Sequence, residues 1–224
     1  MLSAIVELYN EVDGIFGYRQ MTLHLTHILG KRYNYKRIYR LMKSINIQSV
    51  IRKKKRRYKY CAPQVVAENV LNREFSAKES NQKWLTDVTE FKLTTGKKLY
   101  LSAILDLHDR SIVSYQLGDS NNNQLVFKTL DQAIAKNPDA SPLFHSDRGF
   151  QYTNKKFKLK LDRINAIQSM SPVGRCIDNG PMEGFFGIIK CEMFYLRKFH
   201  SREELITAIE KYMKFYNTKR RKKN

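Results

Sequence analysis

Three carboxylates occupy positions that suit chemistry better than they suit packing. Asp87 interrupts Trp84-Leu85-Thr86-Asp87-Val88-Thr89-Glu90-Phe91, which otherwise reads as a central β-strand. Aspartate is disfavoured there, and a buried carboxylate is costly unless it is paired or binds a metal. Asp147 follows the apolar run Pro142-Leu143-Phe144-His145 and precedes Arg148-Gly149. It stands at the carboxyl end of a strand, where functional groups collect in α/β sheets. Glu183 lies within Asp178-Asn179-Gly180-Pro181-Met182-Glu183-Gly184-Phe185-Phe186-Gly187. Each has a plainer reading: Asp87 at a solvent-facing edge, Asp147 as a turn residue before glycine, Glu183 as a charge at a helix start. Together, three carboxylates can hold two divalent ions about 3.5–4 Å apart, the arrangement for in-line displacement at a phosphodiester. One ion activates an attacking water or 3′-hydroxyl and the other stabilises the leaving oxygen. Oxygen ligands and phosphate chemistry suit Mg²⁺, with Mn²⁺ as a substitute, and no separate general base is required.

The neighbours of these carboxylates suggest supporting roles. Met182, Phe185, Ile189 and Met193 mark the buried face of a helix. Asn179, Glu183, Gly187 and Lys190 fall on another face, at i, i+4, i+8 and i+11. Gly184 and Gly187 cost helix stability, which close approach of a large ligand would explain. Asn179 reads as a group supporting the site or a helix-start residue. His145, two residues before Asp147, either tunes the site or is a hydrogen-bonded structural histidine. Asp106 and Asp109 read as structural or turn residues, Trp84 as core, and His24 with His27 as no zinc site, since no cysteine pair accompanies them.

The elements that position these residues follow from pattern. Strands are expected at 84–92, 98–107 and 111–118, joined by turns at Thr94–Lys97 and His108–Arg110, which makes an antiparallel meander. Then come a helix at 121–136, a strand at 142–146, a helix at 154–165, a strand at 166–170, and helices at 179–195 and 201–217. Ser201 with Glu204 fits a capping box. Three antiparallel strands followed by alternating helix and strand is the order of a ribonuclease-H-like α/β core.

Ahead of that core, residues 1–60 are helical and hold fourteen Lys/Arg against three Asp/Glu. Helices are expected at 19–29 and 34–46 around a turn at Gly30-Lys31-Arg32. In the second, Ile38, Leu41, Met42 and Ile45 share one face, and Lys36, Arg40 and Lys43 another. That resembles a helix-turn-helix and equally fits a solvated basic hairpin. Arg52-Lys53-Lys54-Lys55-Arg56-Arg57 is an unbroken basic run, read as a phosphate-contacting arm. Residues 61–82 read as a linker with a short helical stretch at 64–72, and 83–224 as the core.

The chain has 224 residues and a formal net charge of +20, an excess that points to a polyanion, most often nucleic acid. Cys61, Cys176 and Cys191 form neither a disulfide framework nor a CxxC pair. No segment has the apolar length of a membrane span, and the N-terminus lacks the order of a signal peptide. A soluble cytoplasmic protein associated with the nucleoid is expected.

Thirty-five residues separate Asp147 from Glu183, the interval of the DDE transposase and retroviral integrase superfamily. Trp84–Thr89, His145–Tyr152 and Asp178–Gly187 resemble, in order, the three motifs of the large (OrfB-like) subunit of IS-three-type insertion-sequence transposases. Gly17-Tyr18-Arg19 and Lys36–Met42, with Arg37 among them, are similar to that family's N-terminal region. The resemblance implies a ribonuclease-H-like integrase core behind a small all-α module, with Asp87, Asp147 and Glu183 as catalytic metal ligands. It implies that Lys190, seven residues after the glutamate, contacts the element's DNA end. It further implies nicking and strand transfer at terminal inverted repeats, a small upstream (OrfA-like) partner supplied as subunit or frameshift fusion, and a multimer on DNA. Family chains usually begin earlier and continue past Tyr216-Asn217, so a C-terminal truncation is expected. The alternatives are a nuclease on the same fold that does not join strands, and a DNA-binding remnant that occupies element ends.

Overall fold

A computed structural model describes residues 1–51, 69–171 and 179–220. The basic run Arg52–Arg57, Cys61, Cys176, Asp178 and residues 64–68 of the expected linker helix lie outside the described residues. The rest of that stretch, 69–72, forms a turn closed by Asn72 N–H on the Asn69 carbonyl at 3.2 Å.

The core is one five-stranded sheet in the order β3-β2-β1-β4-β5, with β1 (Lys83–Lys92) at its centre. β2 (Lys98–Asp106) and β3 (Ile112–Gly118) continue from it as an antiparallel meander. The first turn is closed by Gly96 at φ +84°, where only glycine sits without strain. β4 (Leu143–Ser146) and β5 (Ile167–Met170) lie parallel on the other side of β1. Parallel neighbours need helical crossovers, supplied by α4 (Asn123–Lys136) and α5 (Lys155–Arg163). α6 (Gly180–Glu192) and α7 (Arg202–Thr218) cover the opposite face.

The alternation of β1 divides the core in two. Leu85, Phe91 and Leu99 pack with Met182, Phe185, Ile189, Ile209 and Met213 of α6 and α7. Trp84, Ile104 and Phe144 pack with Val126, Leu130, Phe157 and Leu161 of α4 and α5.

Several boundaries differ from expectation by a few residues, each for a local reason. α4 starts at Asn123 because the Asn122 side chain caps the Leu125 amide at 2.9 Å. α5 ends early because Asn165 takes φ +54°. α6 stops at Glu192, where Met193 leaves helical geometry and a 3₁₀ turn follows at Phe194–Leu196. In the expected capping box, Ser201 does accept from the Glu204 amide at 3.1 Å. Glu204, however, reaches back to the His200 amide at 3.3 Å rather than to that of Ser201.

The N-terminal residues form three helices, α1 (Leu2–Glu11), α2 (Tyr18–Ile28) and α3 (Tyr35–Ser44). They share an apolar cluster of Ile5, Phe16, Met21, Leu25, Ile38 and Met42. Phe215 of α7 packs against it, and Lys219 pairs with Glu11 at 2.7 Å. Among the described residues no helix is long and apolar enough to cross a membrane.

Candidate active site

Strand register decides where the two aspartates fall. Parallel pairing sets Leu85 of β1 opposite His145 of β4. The pairing ends there. Asp87 and Asp147 each lie two residues beyond it on neighbouring chains, near enough for the charge of Asp147 to raise the pKa of Asp87. β1 is central rather than an edge, so Asp87 is largely enclosed. It shares a face with Leu85 and Phe91, the face covered by α6.

Asp147 is exposed just beyond β4, and its Oδ1 accepts from the Gly149 amide at 2.9 Å. The turn reading is therefore realised, and the carboxylate stays open to solvent. The turn is tight: a Cβ at Gly149 would sit 3.1 Å from that carboxylate oxygen.

Glu183 arrives on α6, and the register of α6 is fixed by Asn179. Asn179 is buried, and its Nδ2 donates to the Thr86 carbonyl at 3.0 Å. Thr86 precedes Asp87, so the helix begins beside the aspartates and presents Glu183 one turn later. Gly184 and Gly187, inside this helix, weaken it by about 1 kcal/mol each relative to alanine. Burial of Met182, Phe185, Phe186 and Ile189 offsets that, at roughly 1.5–3 kcal/mol per side chain.

Electrostatics report the proximity. The Asp87 carboxyl is pushed up to about 7, chiefly by burial and further by the charges of Asp147 and Glu183, against its hydrogen bond from the Val88 amide and the charge of Lys190. Among the described residues, no three His, Cys, Asp or Glu side chains are drawn close enough to grip a metal ion. The donor set nevertheless fits a hard divalent cation. It is all oxygen, its members repel one another, and the charge of Lys190 does not bring the Asp87 carboxyl back to the ordinary carboxylate range.

Two residues not singled out from sequence stand within this group. Tyr152 is buried, 3.5 Å from the Thr86 hydroxyl, and burial with Asp87 and Asp147 nearby pushes its phenol far up. It therefore remains neutral. Thr89 accepts from Lys190 Nζ at 2.6 Å. His145 is fully buried, with Nδ1 on Ser169 Oγ and Nε2 on Ser171 Oγ, each at 2.9 Å. It joins β4 to β5. Asp106 is buried and accepts from the Asn81 and His108 amides at 2.8 and 2.9 Å, and Asp109 accepts from the Ser111 amide at 2.7 Å. Both are turn residues. His24 is buried against the Phe16 ring.

Lys36, Arg37, Arg40 and Lys43 of α3 are all exposed. Between this helix and α6 runs a cleft of about 770 Å³ whose lining includes Tyr18, Tyr39, Lys43, Glu183 and Gly184.

Comparison with known proteins agrees with this architecture. Residues 77–176 and 183–224 match two integrase core domain families, and residues 1–55 match an HTH-like domain. The transposase InsK of insertion sequence element IS150 from Escherichia coli K12 is 42% identical over 219 residues, 96% of this chain and 76% of that protein. The transposase InsF of insertion sequence IS3A, also from Escherichia coli K12, is 35% identical over 159 residues, 70% of this chain and 54% of that protein. Among solved structures, a chain of the simian T-cell lymphotropic virus intasome bound to PP2A regulatory subunit B56 gamma superposes with a TM-score of 0.53. It is 15% identical, over 96% of this chain and 69% of that one, and the likeness shows a shared ribonuclease-H-like integrase fold. With a helix-turn-helix-like module ahead of an integrase core and a relative 42% identical along 96% of its length, the chain belongs to the insertion-sequence transposases of the IS150 and IS3 type.

Proposed function

We propose that the chain nicks insertion-sequence ends and joins them to target DNA, with Asp87, Asp147 and Glu183 as the metal-holding catalytic triad. The observation that carries this reading is the convergence on β1. It is supported by β1–β4 pairing that ends two residues short of Asp87 and Asp147, by the charges of Asp147 and Glu183 acting on Asp87, and by the Asn179–Thr86 hydrogen bond that ties the helix of Glu183 to the same strand. Two Mg²⁺ ions, or Mn²⁺ in their place, would supply activation of the attacking oxygen and stabilisation of the leaving one.

The chain's own residues do the rest. Asp87 must surrender its proton to act as a ligand, and its raised pKa makes that step sensitive to pH near neutrality. Tyr152, kept neutral by burial, retains its proton beside the two aspartates. Asn179 and His145 hold the backbone of the site: one pins α6 to β1, the other ties β4 to Ser169 and Ser171. Lys190 contacts the transposon end through phosphate.

In this reading residues 1–60 bind DNA, 61–82 link, and 83–224 catalyse. Lys36, Arg37, Arg40 and Lys43, with the run Arg52–Arg57, meet the terminal inverted repeats. A small upstream OrfA-like partner completes end recognition, and the active species on two DNA ends is a multimer.

The test is a nicking and strand-transfer assay on labelled element ends with Mg²⁺ or Mn²⁺, with Asp87→Asn and Glu183→Gln alongside. Joined products that vanish in both variants are expected. Cleavage without joining, repeated with the upstream partner added, would instead favour a nuclease. DNA binding with no cleavage under any of these conditions would point to a non-catalytic DNA-binding remnant.

A further inference from the structure

We propose that the cleft between the N-terminal helices and α6 seats unpaired nucleotides of a DNA end, stacked on Tyr18 and Tyr39 beside Glu183. The inference rests on the reading of this chain as acting on DNA ends, and it names the state of the DNA that the site takes.

The first observation is aromatic. Tyr18 and Tyr39 line the cleft with ring centroids 5.3 Å apart and an interplanar angle of 67°. Tyr35 extends the group outward at 6.0 Å from Tyr18. Tyr39 is 50% exposed and Tyr35 48%, while Tyr18 is half-buried with the Arg19 guanidinium 5.7 Å from its ring centroid, so Tyr39 offers the open ring and Tyr18 backs it. Rings presented in this way stack bases of any sequence, because every base has a π-face.

The second observation is charge. Lys36, Tyr39 and Lys43 follow one another at i, i+3 and i+7 along a single stripe of α3. Lys43 lines the cleft. Ammonium groups that flank a ring along one stripe match phosphates that flank a base. Glu192, also in the lining, is neutralised by the Arg220 guanidinium at 2.9 Å, so it does not repel a polyanion.

The third observation is the opposite wall. A Cβ at Gly180 or Gly184 would meet nothing within 4 Å. Packing among the described residues therefore does not demand these glycines, and Gly184 costs helix stability. A smooth wall facing two tyrosines is explained if a sugar–phosphate backbone lies against it. The cleft volume of about 770 Å³ is that of a small-ligand site, for which about 300–1,000 Å³ is usual. It suits a few nucleotides and not a duplex. Opening the terminal pairs costs energy, which stacking offsets.

The experiment is binding in EDTA, where no strand is cut. The probes are a forked duplex with a few unpaired terminal nucleotides and a blunt duplex of the same sequence, with 2-aminopurine in each unpaired strand in turn. The parent should bind the fork roughly five- to 150-fold more tightly than the blunt duplex, from one stacked base, and quench the 2-aminopurine. Tyr18→Leu/Tyr39→Leu should lose both effects, so that it binds fork and blunt duplex alike. Tyr18→Phe/Tyr39→Phe should keep both effects. Gly184→Met, which favours the helix and should melt no lower than the parent, should also lose the preference. Equal affinity for fork and blunt duplex in the parent, or a fork preference that survives in the leucine and methionine variants, overturns the proposal. Because the assay needs no metal, its failure is distinct from failure of the nicking assay.

Discussion

Lys190 Nζ donates to Thr89 Oγ1 at 2.6 Å and lies 5.6 Å from the centroid of the Phe91 ring. A lysine read from sequence as a DNA contact thus rests on the strand that carries Asp87, two residues beyond it. Its half-buried ammonium has a lowered pKa because of desolvation, opposed by the charges of Glu90 and Asp87. The contact fixes where the ammonium sits.

For Lys190→Gln, loss of one phosphate contact should lower the slope of log K against log salt by about 0.9. The weakening should be nearly uniform across DNA sequences. Fluorescence anisotropy on element ends and on unrelated duplex across a salt series measures both. An unchanged slope would remove Lys190 from the interface.

Asp87→Asn should stabilise the metal-free protein, and the sign depends on pH. The unfolded aspartate loses its proton near 3.8 and the folded one near 7. Between those values the folded state holds more protons, so stability falls as pH rises through the window and is level above it. Below 3.8 both states are protonated and the penalty is absent. Parent and variant should therefore melt alike in acid and diverge towards pH 8, with the variant the more stable. Mg²⁺ at pH 8 should raise the melting temperature of the parent and leave that of the variant nearly unchanged. Parallel pH profiles would show that Asp87 carries no such strain.

Asn179→Ala removes a buried donor from the Thr86 carbonyl, at a cost of about 1–3 kcal/mol. In a protein of this size that lowers the melting temperature by roughly 2–4 °C per kcal/mol. The same change frees the start of α6 from β1, so the Mg²⁺ concentration for half-maximal nicking should rise. Asn179→Asp should be worse, because it sets a carboxylate against a carbonyl oxygen. A drop in melting temperature without a shift in the Mg²⁺ requirement would confine Asn179 to stability.

Much of this was legible in the sequence because short-range pattern controls it. Met182, Phe185, Ile189 and Met193 are buried as their spacing indicates, and Lys36, Arg40 and Lys43 are exposed as theirs does. The strands announced themselves through branched and aromatic residues closed by Gly96. What the sequence could not display is which chains meet. Only the pairing of β1 with β4, which ends at Leu85 and His145, brings the chain segments of Asp87 and Asp147 together. Likewise the Thr89 hydroxyl gains meaning from a lysine 101 residues away, and no local pattern places α3 across a cleft from Glu183. His145 is undecidable locally, because its partners Ser169 and Ser171 lie on a later strand. Arg220, which no local pattern singles out, is folded against Glu192 and is only 10% exposed.

That arginine carries the last prediction. Arg220 donates from Nε and Nη2 to the Glu192 carboxylate at 2.9–3.2 Å, and the Tyr212 hydroxyl donates to the same carboxylate at 2.7 Å. The two charged side chains are only 10% and 5% exposed. Burial, with Glu192 beside it, also raises the neighbouring phenols, Tyr216 to about 12. The network ties the end of α6 to α7. Removing one partner of such a pair strands the other, so Arg220→Met should cost about 3–5 kcal/mol. Replacing both, with Glu192→Leu/Arg220→Met, should recover most of that loss, since apolar replacements of a buried pair are often neutral. Tyr212→Phe in the double variant removes the orphaned hydroxyl and should restore more. Contrast comes from Lys98–Glu90, 44% and 48% exposed, for which Lys98→Ala should cost below about 1 kcal/mol. Salt should weaken the exposed pair and leave the buried one nearly unaffected. Urea melts of the four variants at low and high salt measure all of this. An Arg220→Met cost as small and as salt-sensitive as that of Lys98→Ala would mean that the pair does not fasten α6.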